Sequence, residues 1–589
     1  MRTSAWIVCA LLAWGGVAAA QTMTWNVMDT GARGDGKTDD TAAFQAALDA
    51  AGRAGGGTVL APAGKYRIAG NLTIPSAVCL QGTHRVPPTL RDNRIEALQG
   101  SVLLAYAGRG KADGDPFIKL TGTNSSIVGF IITYPEWKQS DVPPVPYPPC
   151  IGSSDSENVA VQECLLLNPY EGIRMVRAHR HLIRNVTGYP SRRGIFVDEC
   201  YDIGHIENVH FWPFGVAYDP NNPYCKWVNT QGVAFELART DWHYVSNTFC
   251  FGYGVGYKFS ESKTGSTNGN FLGIGADSCQ RAVLVEQAQP PGILIVNGEF
   301  VGRWSSTDAV TLEVGPKCDG KVSLTNCSFW GPIDRCVVMR APNGQFTANA
   351  CNFVSWDINQ KRSPAIQIDA GRAIVEGCTF GTGDLNVRVG AAARSAILLG
   401  NQGDQGFVFE NRAGARTQAY ANQADPIQWT AEVRAAYVVT VGAEGDSRYL
   451  REFHGREKTP GKAGRTYRWS AAESRLVLPV NPGRAYTLKV ELDAPPQSVS
   501  QDAGIYLGSR RLASIARPGR QTLVVAAPAS SGNQMVLTLR LKGWVPRRTI
   551  PGSQDDRTLG AQVHSLTMLA AGRRAPRFDA NTGAAVRGQ

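Results

Sequence analysis

The chain has 589 residues, a formal net charge of +11 and 64 glycines. That length suffices for two or three domains. Abundant glycine, without long Ala/Glu/Lys/Leu stretches after residue 55, excludes a helical bundle or coiled coil and favours a β-rich protein with many turns. The charge suits an acidic polymer such as a uronate or sulfated glycan, and equally an ordinary basic exported protein; no nucleic-acid motif accompanies it.

Residues 1–20 read as a cleavable signal peptide, with Arg2, an apolar run over 5–17, and Ala18-Ala19-Ala20 before Gln21. The run is too short to span a bilayer, and no later segment approaches about 18 apolar residues. A secreted or periplasmic location without a membrane partner is therefore expected. Of the 13 cysteines only Cys9 lies in that leader. No CxxC pair or histidine-rich pattern occurs among the others, so no metal site is expected.

Next comes a glycine-rich turn, Gly34-Asp35-Gly36-Lys37, and a helix that Asp39 or Asp40 can cap. Ala43, Phe44, Ala47, Leu48 and Ala51 recur at helical spacing, and Gly55-Gly56-Gly57 ends the helix. Short strands follow from Thr58. Over 25–82 this pattern resembles the entry segment of the pectate-lyase-like superfamily, related to glycoside hydrolase family 28 and the rhamnogalacturonase/epimerase-like proteins. The resemblance implies an all-β chain: a right-handed parallel β-helix whose open end is covered by the short helix. The acidic residues of the turn are expected to be structural. A glycan-related role is implied as well, although hydrolases, lyases, epimerases and tailspikes share this entry.

The middle of the chain repeats. Strands of one shape recur at 172–176, 194–198, 215–219, 232–236, 256–260, 282–286, 309–313, 336–340, 365–369 and 396–400. Most intervals suit one coil, but the 17 residues from Gly215 to Gly232 are too few, so a strand there is misplaced. A second strand type precedes them at 208–211, 297–300, 326–329, 350–353 and 377–380, each ending in Phe. Cys327, Cys351 and Cys378 share one column with those phenylalanines and are expected to be reduced core residues.

Side chains alternate along a strand, so the second and fourth positions of the first series point inward and the fifth outward. The fifth position carries Asp198, Asp219, Glu236, Glu286, Glu313 and Asp369. At about 4.8 Å between coils these would stack into a carboxylate ladder, in which like charges raise one another's pKa. The early part, 198 to 236, is expected to be functional and the later acids solvated surface. Arg174 and Lys258 take the outward third position, with Tyr170, Glu171 and Arg193 just before the strands. Trp212, Trp242 and His243 fall in connecting segments, and Tyr134 precedes a proline-rich run at 143–149 that forms a loop beside the groove.

These residues point to a glycoside hydrolase. Asp198 with Asp219 or Glu236 would be acid and base, Glu171 the next candidate, and Arg174, Arg193, Tyr170, Trp212, Trp242, His243, Lys258 and Tyr134 would bind a polysaccharide substrate. Family 28 members carry an Asp where Glu171 stands, and an Asp-Asp pair where this chain has Arg192-Arg193. That departure keeps a polysaccharide lyase acting on a uronate as the alternative, with Arg174 or Arg193 as base and Ca²⁺ held by the acid ladder. A hydrolase would need no cofactor. A non-catalytic glycan-binding protein is the third reading, and the oligomeric state is left open.

The β-helix is expected over 21–412, then a linker at 413–427. Alternating strands at 465–469, 486–492, 521–525, 535–541 and 563–569 predict a β-sandwich over 428–572, either carbohydrate-binding or a structural cap. The basic segment 573–589 is expected to be disordered.

Overall fold

The computed structural model describes residues 23–85, 94–303, 310–382, 385–404, 406–424, 427–460 and 464–586. The expected signal peptide lies outside them. Among the described residues no helix is long and apolar enough to cross a membrane.

Helix α1, Thr41–Arg53, buries Phe44, Ala47, Leu48 and Ala51, as its spacing predicts. The acids around it serve the turn. Asp40 is buried and accepts N–H bonds from Arg33 at 2.7 Å and Gly34 at 3.1 Å. Asp39 accepts from the backbone of Thr41 at 3.1 Å and Ala69 at 3.2 Å, tying the helix start to the first coils.

Every strand of the coiled body pairs in parallel with the corresponding strand one coil away. Three sheets result, wound in the right-handed sense usual for parallel crossovers. Sheet I holds Pro149–Glu157, Glu171–His179, Arg193–Asp198, Val233–Leu237, Val255–Phe259, Arg281–Val285 and Val310–Val314. Sheet II includes Thr240–Ser246, Thr267–Leu272 and Ile293–Val296, and sheet III includes Phe249–Phe251, Gly275–Cys279, Glu299–Gly302 and Ser328–Trp330.

Between sheets II and III the chain turns through a left-handed residue. Asn185, Asn208, Asn247, Asn297 and Asn326 all have φ between 50° and 55° there, a region asparagine tolerates better than most residues. Their side chains stack: Asn208 donates to Asn185 at 2.7 Å, and Asn326 to Asn297 at 2.9 Å. Inside, Phe300, Phe329, Phe353 and Phe380 form a ladder with centroids 4.9–5.3 Å apart. Removing one such ring would cost about 3–5 kcal/mol. Cys327, Cys351 and Cys378 lie buried as free thiols beside it.

The coils end later than the sequence predicts. Thr417–Tyr420 pairs with Val387–Leu399, so part of the expected linker at 413–427 is the last rung of sheet II. The second unit is a ten-stranded sheet wrapped around its own core of Leu476, Leu488, Val490, Leu537 and Leu566. All five expected strand regions are present, joined by Ala436–Thr440, Leu450–Lys458, Gly504–Leu507 and Arg510–Ser514. The expected disordered tail is also corrected. Phe578–Asp579 pairs with Ala436–Thr440, Ala580 is fully buried, and Asn581 Nδ2 donates to the carbonyls of Thr440 at 3.0 Å and Glu444 at 2.9 Å.

Candidate functional site

The outward face of sheet I carries the charged side chains. Strand register aligns Lys119, Gly152, Arg174, Phe196, Glu236, Lys258 and Leu284 on successive coils. A neighbouring column, three residues earlier, places Glu171 opposite Arg193.

These groups form one continuous ion-pair network. Glu171, only 5% exposed, is clamped by both Arg174 and Arg193, the latter with Nη2 2.9 Å from Oε1. Arg193 also donates from Nη1 to Glu236 Oε2 at 3.2 Å, and its guanidinium lies 4.0 Å over the Phe196 ring. Lys258 Nζ is 3.3 Å from Glu236 and 3.3 Å from Glu286. Burial pushes the Glu236 carboxyl up, but Lys258 and Arg193 outweigh it and hold the group below the ordinary carboxylate range. Glu171 and Glu236 are sunk, with side chains 6% and 12% exposed, whereas those of Arg174, Arg193 and Lys258 remain 30%, 21% and 24% exposed; Glu286, at the end of the line, is the one exposed acid of the network. A polymer lying over Glu171 and Glu236 meets the cations Arg174, Arg193 and Lys258 first.

Beside Arg174 the column opens into a cleft of about 180 Å³ lined by Lys119, Pro149, Gly152, Ser154 and Asp115. Gly152 is required there, because a Cβ would meet Pro116 Cγ at 2.4 Å. The wall of the groove comes from two insertions. Trp137 Nε1 donates to the Tyr224 hydroxyl at 3.2 Å, and Gln139 exchanges hydrogen bonds with the Ala217 backbone at 2.8 and 3.1 Å. This holds the segment around 134–148 against helix α2, Pro223–Gln231. Tyr170 packs on Trp227 of that helix, with centroids 6.4 Å apart.

The expected carboxylate ladder does not form, for two reasons. Segment 215–219 is not a strand, so Asp219 sits exposed in the insertion, where its carboxylate accepts the Asn221 N–H at 2.8 Å. The next strand is offset by two residues from the expected frame: Phe235 aligns with Ile195, and Glu236 with Phe196 instead of Asp198. Asp198 itself caps backbone, accepting from Glu199 N at 2.9 Å and Arg239 N at 3.0 Å. The acids proposed to hold Ca²⁺ therefore do not converge, and among the described residues no group of three or more His, Cys, Asp or Glu could hold a metal ion. Glu313, expected as solvated surface, is nearly buried between Arg281 at 2.7 Å and Arg340.

Several aromatic expectations are corrected too. Tyr134 is buried against Tyr147, with centroids 4.8 Å apart. His243 is fully buried and packs on His181, 5.1 Å between centroids. Trp242, 61% exposed, lies on sheet II, and Trp212 follows sheet III against Phe214 and Phe251. The structure brings together Glu171, Arg174, Arg193, Glu236, Lys258 and Tyr170. Sequence reasoning missed Lys119, whose signal was the apolar alternation of Ile118–Leu120 around it.

A three-sheet parallel coil capped by a helix, with a charged groove along one sheet, defines a pectate-lyase-like β-helix. Residues 24–249 match the family described as "Rhamnogalacturonase A/epimerase, pectate lyase-like". Among curated proteins, the chain is 40% identical over 114 residues to mannuronan C5-epimerase AlgE3 of Azotobacter vinelandii, covering 18% of this chain and 6% of that protein. It is 67% identical over 48 residues to alginate lyase 7 of the same organism, covering 8% of this chain and 6% of that one. The chain thus spans only a small fraction of these relatives' length. Among solved structures, the N-terminal fragment of bacteriophage phi29 gene product 12 aligns at TM-score 0.47 and 12% identity, covering 68% of this chain and 73% of that one.

Proposed function

We propose that the chain binds a uronate-containing polysaccharide along sheet I and modifies it at uronate C5, as a lyase or an epimerase. The observation that carries this is the charge state of the groove. Glu171 and Glu236 are already paired with Arg174, Arg193 and Lys258, and Glu236 is held ionised by them, so neither is suited to be the protonated acid a glycosidase needs. The partly exposed cations are suited to a different task. Removing the proton at C5 places negative charge on the adjoining carboxylate, and preorganised cations stabilise that charge as it develops. Return of a proton on the opposite face yields the epimer; departure of the C4 oxygen yields a 4,5-unsaturated end. The relatives named as a mannuronan C5-epimerase and an alginate lyase support the same substrate class.

The test is incubation of the protein with alginate and with polygalacturonate in D₂O. Deuterium at C5 by NMR, or ultraviolet absorbance from an unsaturated product, is the expected result. New reducing ends without either signal would establish hydrolysis and overturn the reading.

A further inference from the structure

On the face formed by sheet III, a cleft of about 480 Å³ is lined by Phe249, Gly275, Asp277, Glu299, Val301 and Trp330. Its floor is flat because Gly275 stands between Phe249 and Glu299 in register, and a Cβ there would meet the Phe249 ring at 3.0 Å. Trp330 stands at one side, 41% exposed, with Nε1 donating to Glu299 Oε1 at 3.4 Å, so its indole is fixed as a platform. Asp277 accepts from the Ser278 hydroxyl at 3.1 Å, and burial pushes its carboxyl above the ordinary range. Among the described residues no Lys or Arg lines the cleft.

We propose that this cleft is a second carbohydrate site, which takes an uncharged hexosyl residue of a glycan. An exposed aromatic face beside a concave floor with a few convergent acceptors is the make-up of a small-ligand site. A pyranose ring lies on Trp330 through its C–H face, and its hydroxyls donate to Asp277 and Glu299. A uronate is rejected here, since its carboxylate would face two acids with no compensating cation. The cleft and the sheet I groove therefore select different sugars, and this inference stands independently of the function proposed for sheet I.

Affinity electrophoresis of the full chain through gels cast with galactomannan, xyloglucan or dextran tests it, with polygalacturonate gels alongside. Retardation by at least one neutral polymer is expected, weakened at least tenfold in Trp330→Ala and largely retained in Trp330→Phe. Retardation by polygalacturonate should be the same in all three proteins, which also shows that the variants are folded. Absence of retardation by every neutral polymer, or retardation unchanged in Trp330→Ala, would overturn the proposal.

Discussion

The guanidinium of Arg193 lies 2.9 Å from Oε1 of Glu171, its register partner on the preceding coil. The same group reaches Glu236 at 3.2 Å, so one side chain ties together two sunken carboxylates, each of which has one further cation, Arg174 for Glu171 and Lys258 for Glu236. Arg193→Ala should therefore cost about 2–3 kcal/mol in denaturant unfolding, since charge-assisted hydrogen bonds to two sunken acids are lost together. Arg193→Lys should recover only part of this, because a single ammonium cannot fork to both acids.

Arg174 and Lys258 present charge to solvent at two points along the groove. Alanine at either position should raise KM for a polyuronate by roughly tenfold and flatten its dependence on salt. A variant with unchanged KM would show that the polymer does not lie on sheet I.

Asp198 is held by two backbone N–H groups. The amide oxygen in Asp198→Asn can accept the same bonds, so activity should stay within about threefold of the parent and stability should fall by no more than about 1 kcal/mol. Loss of turnover in a folded Asp198→Asn protein would restore this residue as a catalyst.

His181 and His243 pack together in the interior, with His205 and His179 nearby. Burial lowers the imidazole of His181 to about 4 and that of His243 well below its ordinary value. A depressed histidine is neutral in the fold while its unfolded counterpart takes up a proton near pH 6.5, so stability falls as pH drops from about 6.5 towards 4. His181 alone should contribute on the order of 3 kcal/mol to that loss. Denaturation midpoints measured across this range should fall steeply in the parent and less steeply in His181→Leu.

The C-terminal segment closes the second unit through Phe578–Asp579 and Asn581. Truncation after residue 572 should lower the melting temperature of that unit by roughly 5 °C or more, with the β-helix transition unchanged in calorimetry.

Much of the coil was legible in the chain itself. The period of the Phe-ending strands, the asparagines at the bends and the helix face of Phe44 and Leu48 are local signals, fixed by side-chain alternation and backbone preference. The groove was only half legible. Glu171, Arg174 and Arg193 lie within two adjacent coils whose spacing is regular, so their juxtaposition followed from counting. Glu236 did not, because the insertion carrying helix α2 breaks the count between Arg193 and Val233, and periodicity cannot say in which register the strand resumes.

Local pattern alone dictates that this chain winds into a capped parallel coil with charge on one face, since inward apolar positions every second residue allow little else. What the charges do is set by the folded chain. Whether an outward acid faces another acid, a cation or a backbone N–H depends on a neighbour some 22 to 43 residues away, as for Glu171 and Glu236 with Arg193. A two-residue shift there turned a ladder of carboxylates into a line of ion pairs.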